Sequence, residues 1–275
     1  MISKKIPLNI DYKALGYDNG GSSPTLSTYL WEESQEMPWM NKRPAVLVCP
    51  GGGYTCVSQR EGEPIALKYC SEGFQTFLLH YTVMPGKFPC ALLEAAKAIA
   101  MIREHAEEWR VDPEKIFVCG FSAGGHLAGS TGVFWDSELV KNALGVTGEQ
   151  LRPTGMILSY AVLSAFTPHL QFSFPNLMGS DSQNPEDYRN VSLDTLVNPD
   201  TPPAFLWHTV DDDVVDVENT MNFASALRKN GIQFEMHLYP HGPHGMSLAN
   251  EITPPVLTDC QNWITMSVRW IKSFL

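Results

Sequence analysis

Lys115-Ile116-Phe117-Val118-Cys119-Gly120-Phe121-Ser122-Ala123-Gly124-Gly125-His126 is the stretch on which the reading of the chain turns. A short apolar run with the look of a buried strand enters a Gly-x-Ser-x-Gly turn, and a helical segment follows. The demand behind the pattern is steric. A serine at the tip of a sharp strand-to-helix turn sits in strained backbone geometry, and only very small residues two before and two after it avoid a clash. Gly120 and Gly124 meet that demand. The pentapeptide alone also fits a glycine-rich turn or a phosphate-binding helix N-terminus; its place between strand and helix favours a nucleophile elbow.

Outward from the elbow, short apolar runs alternate with helix-length segments, the rhythm of βαβ units around a largely parallel sheet. Strands are expected at Ala45–Pro50, Gln75–His80, Lys115–Cys119, Gly155–Tyr160, Pro203–His208 and Phe234–Tyr239. Helices are expected at Glu63–Ser71, Pro89–Trp109, Ala123–Phe134, Glu218–Asn230 and Val256–Phe274. Leu92, Ala95, Ile99, Ile102 and Ala106 form one apolar face, and Ile264, Val268, Ile271 and Leu275 another. Residues 1–44 look like leading antiparallel strands, clearest at Pro24–Trp31. Without a linker or repeat, the expectation is one α/β domain over 1–275. Residues 164–202, rich in proline and aromatics, break the rhythm as an insertion that reads either as a lid-like binding loop or as an ordered surface excursion.

A serine hydroxyl is a poor nucleophile at neutral pH and needs a base, itself oriented by a carboxylate. His208-Thr209-Val210-Asp211-Asp212-Asp213 follows one strand, and Pro240-His241-Gly242-Pro243-His244-Gly245 follows another. In a parallel sheet both groups emerge at the carboxyl edge beside Ser122, in the order Ser, Asp, His expected of an α/β-hydrolase. The aspartates alone read better as a solvated acidic loop, and nothing has a standard zinc spacing. Cys49-Pro50-Gly51-Gly52-Gly53-Tyr54 offers backbone N–H groups for an oxyanion. The rival reading, a dinucleotide loop, fails because Cys56 stands where its third glycine belongs.

Composition limits what else the protein can do. Thirty Asp+Glu against nineteen Lys+Arg give a net charge of −11, which repels phosphate backbones and anionic lipid surfaces. Neither nucleic acid nor membrane is an expected partner. Met1–Pro7 leads into mixed polar sequence rather than an apolar signal core, so a cytoplasmic location is expected. The six cysteines lack a Cys-x-x-Cys pair and read as buried thiols.

The stretches Val46–Tyr54, His80–Pro85 with Phe88-Pro89, Val111–Ile116 and Ser122–Ala128, with the Asp and His loops, resemble the α/β-hydrolase esterases, a group that includes hormone-sensitive-lipase-like esterases and bacterial acetyl-xylan or feruloyl carbohydrate esterases. The resemblance implies Ser122 as nucleophile, Asp212 as acid (four residues after His208 and three before Val215), and His244 as base with His241 as fallback. It implies Gly52, Gly53 and Ala123 as oxyanion donors. Pro50 stands where the lipase-like members have histidine, which favours the carbohydrate-esterase branch. The implied reaction is hydrolysis of a small acyl ester, acetyl foremost, on a carbohydrate, with no cofactor or metal. A small-molecule ester is the expected partner, and a homodimer is left open. Tyr54 and Phe166 are candidates to line the substrate pocket. The alternatives are a prolyl-oligopeptidase-like peptidase, which usually carries a large additional domain, and a non-catalytic binding protein on the same fold.

Overall fold

The computed structural model describes residues 1–275. In chain order the elements are β1 (Lys5–Pro7), α1 (Tyr12–Leu15), β2 (Thr25–Tyr29), β3 (Arg43–Cys49), α2 (Glu63–Ser71), β4 (Gln75–His80), α3 (Cys90–Glu104), β5 (Val111–Phe121) and α4 (Ser122–Val133). They continue with α5 (Glu138–Leu144), α6 (Gly148–Leu151), β6 (Gly155–Ser159), α7 (Ser173–Met178), β7 (Ala204–Thr209), α8 (Glu218–Lys229), β8 (Phe234–Tyr239) and α9 (Thr258–Lys272). All eight strands join one sheet in the order β1-β2-β4-β3-β5-β6-β7-β8. The pairs β1–β2 and β2–β4 are antiparallel and the rest parallel.

Strand residues alternate between two apolar layers, as a pleated sheet covered on both faces requires. Ala45, Leu47, Ile116, Val118, Met156, Leu158, Ala204 and Leu206 face the layer holding α3, α4 and α8. Val46, Val48, Phe117, Phe121, Ile157, Phe205 and Trp207 face the layer holding α2 and α9. In the second layer Trp207 stacks on Trp263 of α9 with ring centroids 5.1 Å apart. Ile264, Val268 and Ile271 are buried as their spacing predicts, but Leu275 is exposed because α9 ends at Lys272.

The helix expected to reach Trp109 stops at Glu104. The chain has to reverse there to enter the sheet: Val111 N–H returns to the Ala106 carbonyl, Arg110 takes φ +54°, and Trp109 stacks on His105. β5 accordingly begins at Val111, with a register irregularity against β3 between Arg43 and Ala45 that accommodates Pro113 near the strand start.

The insertion is packed down on the domain. Phe174, Leu177, Tyr188, Val191 and Leu193 are buried in the larger apolar layer, and Phe88 N–H donates to the Leu177 carbonyl at 2.8 Å.

At the elbow, α4 starts in direct contact with the carboxyl end of β3. A Cβ at Gly124 would overlap the carbonyl oxygens of Cys49 and Pro50, and one at Gly120 would overlap the carbonyl of Gly124. Gly124→Ala is therefore expected to destabilise the fold by about 1–3 kcal/mol through overpacking, read as a lower urea midpoint; an unchanged midpoint would contradict this account of the contact.

Candidate active site

Ser122 carries φ +52°, a left-handed conformation that a non-glycine residue adopts only under constraint. The residue is buried, with 8 % of it exposed. The loop after β8 brings His244 to it, Nε2 lying 2.8 Å from Ser122 Oγ. The loop after β7 brings Asp212, whose Oδ2 lies 2.8 Å from His244 Nδ1. A carboxylate only accepts, so Nδ1 carries the imidazole hydrogen and Nε2 is left as the acceptor for the serine hydroxyl.

Asp212 is held from four directions. Oδ1 accepts the N–H groups of Val214 and Val215, both at 2.9 Å. Oδ2 takes His244 and, at 3.3 Å, Nε2 of His208. His208 Nε2 also donates to the Val215 carbonyl, so its Nδ1 accepts the Thr220 hydroxyl. Burial by itself raises the Asp212 carboxyl, but the hydrogen bonds from His208 and His244 outweigh it and hold the group well below the usual carboxylate range. The acid therefore stays ionised through the neutral pH range.

The neighbouring pair has the same chemistry and a different setting. His241 Nδ1 lies 2.9 Å from Asp211, but its side chain is 83 % exposed. Of the two histidines in the loop, it is His244 that the structure places on Ser122.

The glycine loop Gly51–Gly53 is aimed by its carbonyls. In a planar trans peptide the C=O and N–H point in opposite directions, so anchoring one end directs the other. The Gly51 carbonyl accepts Ser58 N–H at 2.9 Å, and the Gly52 carbonyl accepts Thr55 N–H at 2.9 Å and Cys56 N–H at 3.2 Å. The N–H groups of Gly52 and Gly53, in the same peptide planes, point the other way and donate to no protein acceptor. Gly52 (φ +125°) and Gly53 (φ +62°) need glycine for this path. A Cβ at either would also collide, with the Cys56 carbonyl and with the Phe172 ring respectively. Ala123, in the first turn of α4, contributes a third N–H without an intrahelical acceptor.

Tyr54, expected against substrate, is turned into the core and is only 3 % exposed. Its ring packs edge-on to Tyr81 and His126, and its hydroxyl lies 2.8 Å from His126 Nδ1. His126 Nε2 faces the Val191 carbonyl and so carries the hydrogen, which leaves Nδ1 to accept from Tyr54. Tyr54 is thus a strut between the loop, α4 and the insertion. Phe166 is half-buried beneath the Arg189 guanidinium, 4.5 Å from its ring centroid. The aromatic ring over the oxyanion loop is instead Phe172, 54 % exposed and packed against Gly53.

Other residues that build the site escape the sequence reading. Tyr81 donates its hydroxyl to the Pro50 carbonyl at 2.5 Å, Asn176 of α7 donates to the Gly53 carbonyl at 2.8 Å, and Glu61 accepts Gly51 N–H at 2.9 Å. Each acts on backbone, a role that leaves no local residue pattern.

An elbow serine linked through histidine to aspartate, facing free N–H groups on an eight-stranded sheet, defines an α/β-hydrolase. The chain belongs to the BD-FAE family, whose profile matches residues 36–227. Over 239 residues it is 36% identical to endo-1,4-beta-xylanase B of Butyrivibrio fibrisolvens, covering 84% of this chain and 36% of that one. It is 27% identical over 228 residues to an acetylxylan esterase of Xylanibacter ruminicola, covering 80% and 45%. The chain thus spans less than half the length of these two relatives. Among solved structures, an acetyl ester-xyloside bifunctional hydrolase from Caldicellulosiruptor lactoaceticus superposes with a TM-score of 0.85 at 36% identity, covering 98% of this chain and 96% of that one. No helix is long and apolar enough to cross a membrane.

His126 supplies a pH prediction. Burial pushes its imidazole down to about 4, against ~6.5 in an unfolded chain. As pH falls from about 6.5 to about 4, the unfolded state binds a proton that the folded state refuses, so stability present above that window is lost across it, by at most about 3 kcal/mol. Urea denaturation of wild type and His126→Gln across that range should show a shallower fall for the variant; parallel curves would remove His126 as the cause.

Proposed function

We propose that this protein is a serine esterase that removes small acyl groups, acetyl foremost, from carbohydrate substrates of the xylan type. The single observation that carries the reading is the unbroken hydrogen-bonded line from Ser122 through His244 to Asp212, set beside free N–H groups on Gly52, Gly53 and Ala123. Each part has a task in acyl transfer. His244 Nε2 accepts the Ser122 proton as Oγ attacks the ester carbonyl, and the Asp212 carboxylate stabilises the resulting imidazolium. The N–H groups receive the negative charge that develops on the carbonyl oxygen. The imidazolium then protonates the departing alcohol, and a water activated by the same nitrogen releases the acid and restores the serine.

Preference for a small acyl group is supported by the roof over the loop. Phe172 lies against Gly53 and Asn176 ties the insertion to the Gly53 carbonyl, so space beside the free N–H groups is limited. Preference for an acetylated carbohydrate is supported by the similarity to an acetylxylan esterase and to an acetyl ester-xyloside bifunctional hydrolase.

Ser122→Ala and His244→Ala should each lower kcat/KM on p-nitrophenyl acetate by about 10⁴-fold or more, whereas His241→Ala should stay within a few-fold of wild type. Retained hydrolysis in Ser122→Ala would refute the assignment. A panel of acetylated xylo-oligosaccharides, butyryl and octanoyl aryl esters and a proline-containing peptide amide should be ranked with the acetyl esters first; fastest turnover of the peptide amide would replace the esterase reading with a peptidase.

A further inference from the structure

One buried acid near Ser122 has no part in the proton path. Glu61 lies in the 3-10 turn Gln59–Glu61 and is 3 % exposed. No Lys, Arg or His lies within ion-pair distance of it, since it takes part in none of the salt bridges of the structure. Burying a carboxylate without a cation is costly, and an apolar residue of similar volume would serve packing alone at less expense. Its two oxygens are nevertheless both engaged. Oε2 accepts Gly51 N–H at 2.9 Å and Oε1 accepts the Tyr160 hydroxyl at 2.8 Å.

These two bonds reach different halves of the site. Gly51 opens the oxyanion loop, and a Cβ built on it would stand 2.8 Å from Glu61 Oε2 and 3.0 Å from Ser122 Cβ. With the Tyr81 hydroxyl on the Pro50 carbonyl, Glu61 clamps the Pro50–Gly51 peptide at both ends. Tyr160 leads to the base. Its hydroxyl oxygen accepts Ser247 N–H at 2.8 Å, three residues beyond His244, and its ring stands edge-on to the His244 ring with centroids 5.1 Å apart. The Tyr160 backbone is itself in the left-handed region, at φ +35°.

We propose that Glu61 is a positioning residue that holds the oxyanion loop and the His244 loop in a common register, through Gly51 on one side and Tyr160 with Ser247 on the other. This rests on the serine-esterase reading above. A carboxylate suits the task because both groups presented to it are donors, and it offers acceptors only. A glutamine in its place must turn an N–H toward one of them. The chain Ser247 N–H to Tyr160 O–H to carboxylate is charge-assisted at its end, which stiffens it. The negative charge is spent on Gly51 N–H and Tyr160 O–H, and the free N–H groups of Gly52 and Gly53 are left to the substrate oxygen.

The test uses Glu61→Gln and Tyr160→Phe in the full chain, with active sites counted by a fluorophosphonate so that misfolded protein does not enter kcat. On p-nitrophenyl acetate, Glu61→Gln should lower kcat per titrated site by ~10–100-fold, a part of what losing an oxyanion donor costs, with KM within about twofold. Tyr160→Phe, which removes only the hydroxyl, should lower it by ~3–10-fold, a fraction of the same effect. The inhibition constant of a trifluoromethyl ketone, whose adduct carries an oxyanion, should rise in step with each loss of kcat. Values of kcat per titrated site within twofold of wild type for both variants would overturn the proposal, whatever happens to yield or melting temperature. If Glu61→Gln does not fold, Tyr160→Phe alone decides. Ser122→Ala assayed alongside separates the two levels: loss of hydrolysis there with silent Glu61 and Tyr160 variants sinks this inference only, whereas retained hydrolysis sinks the esterase reading itself.

Discussion

The contact between the first turn of α4 and the carboxyl end of β3 is the constraint on which the rest of the molecule depends. Without side chains at Gly120 and Gly124, the helix start can lie against the Cys49 and Pro50 carbonyls. That approach places Ser122 at the sheet edge in its left-handed conformation and brings the N–H of Ala123 beside those of the β3 loop. Ser122 and the free N–H groups of the glycine loop are thus two sides of one packing contact. The strain at a single residue, of order 1–3 kcal/mol, is supported by two full apolar layers on either face of the sheet.

The second half of the site is organised by charge and burial. Asp211 and Asp212 are adjacent and each pairs with a histidine from the same downstream loop. Asp212 is buried and accepts from two backbone N–H groups and two imidazoles, whereas Asp211 and His241 stand in solvent, where such a pair contributes little. Both aspartates lie in the turn that follows β7 at Thr209, where Asp212 N–H bends back toward the Thr209 carbonyl, and the turn leaves Asp212 buried and Asp211 in solvent. His208, inside β7 and tied to Thr220 of α8, then fixes the Asp212 carboxylate from behind.

Much of this is legible in the sequence. The elbow, the order Ser122, Asp212, His244 and the glycine run 51–53 can be read because each is a short segment under a steric or topological demand that few residue types meet. The central strands β3, β4, β6 and β7 are legible because buried strands of a parallel sheet are near-continuous apolar runs bounded by turns. What could not be read depends on which way a side chain turns. Tyr54 follows the oxyanion glycines, yet points inward to His126; local pattern does not distinguish the two directions. The same holds for Glu61 in Gln59-Arg60-Glu61-Gly62-Glu63, which looks like a solvated charged segment and instead sends one carboxylate under the site. Tyr81 and Asn176 act on backbone carbonyls 31 and 123 residues away, and a partner without a side chain leaves nothing in the sequence to match. Trp109 shows the complementary limit, since the helical pattern continues to it while the geometry of entry into β5 ends the helix at Glu104.

The hold of Asn176 on the Gly53 carbonyl has a consequence for how such a site can diversify. The segment 164–202 lies against the glycine loop through Phe172 and Asn176, and in many folds such a loop can be exchanged freely because the scaffold beneath carries the chemistry. Here the segment also supplies a donor, the Asn176 amide, to the peptide that follows the free N–H groups of Gly52 and Gly53. A transplanted or shortened segment has to bring its own amide to that carbonyl, so in this architecture the segment and the backbone beneath it are inherited together and are hard to redesign one at a time.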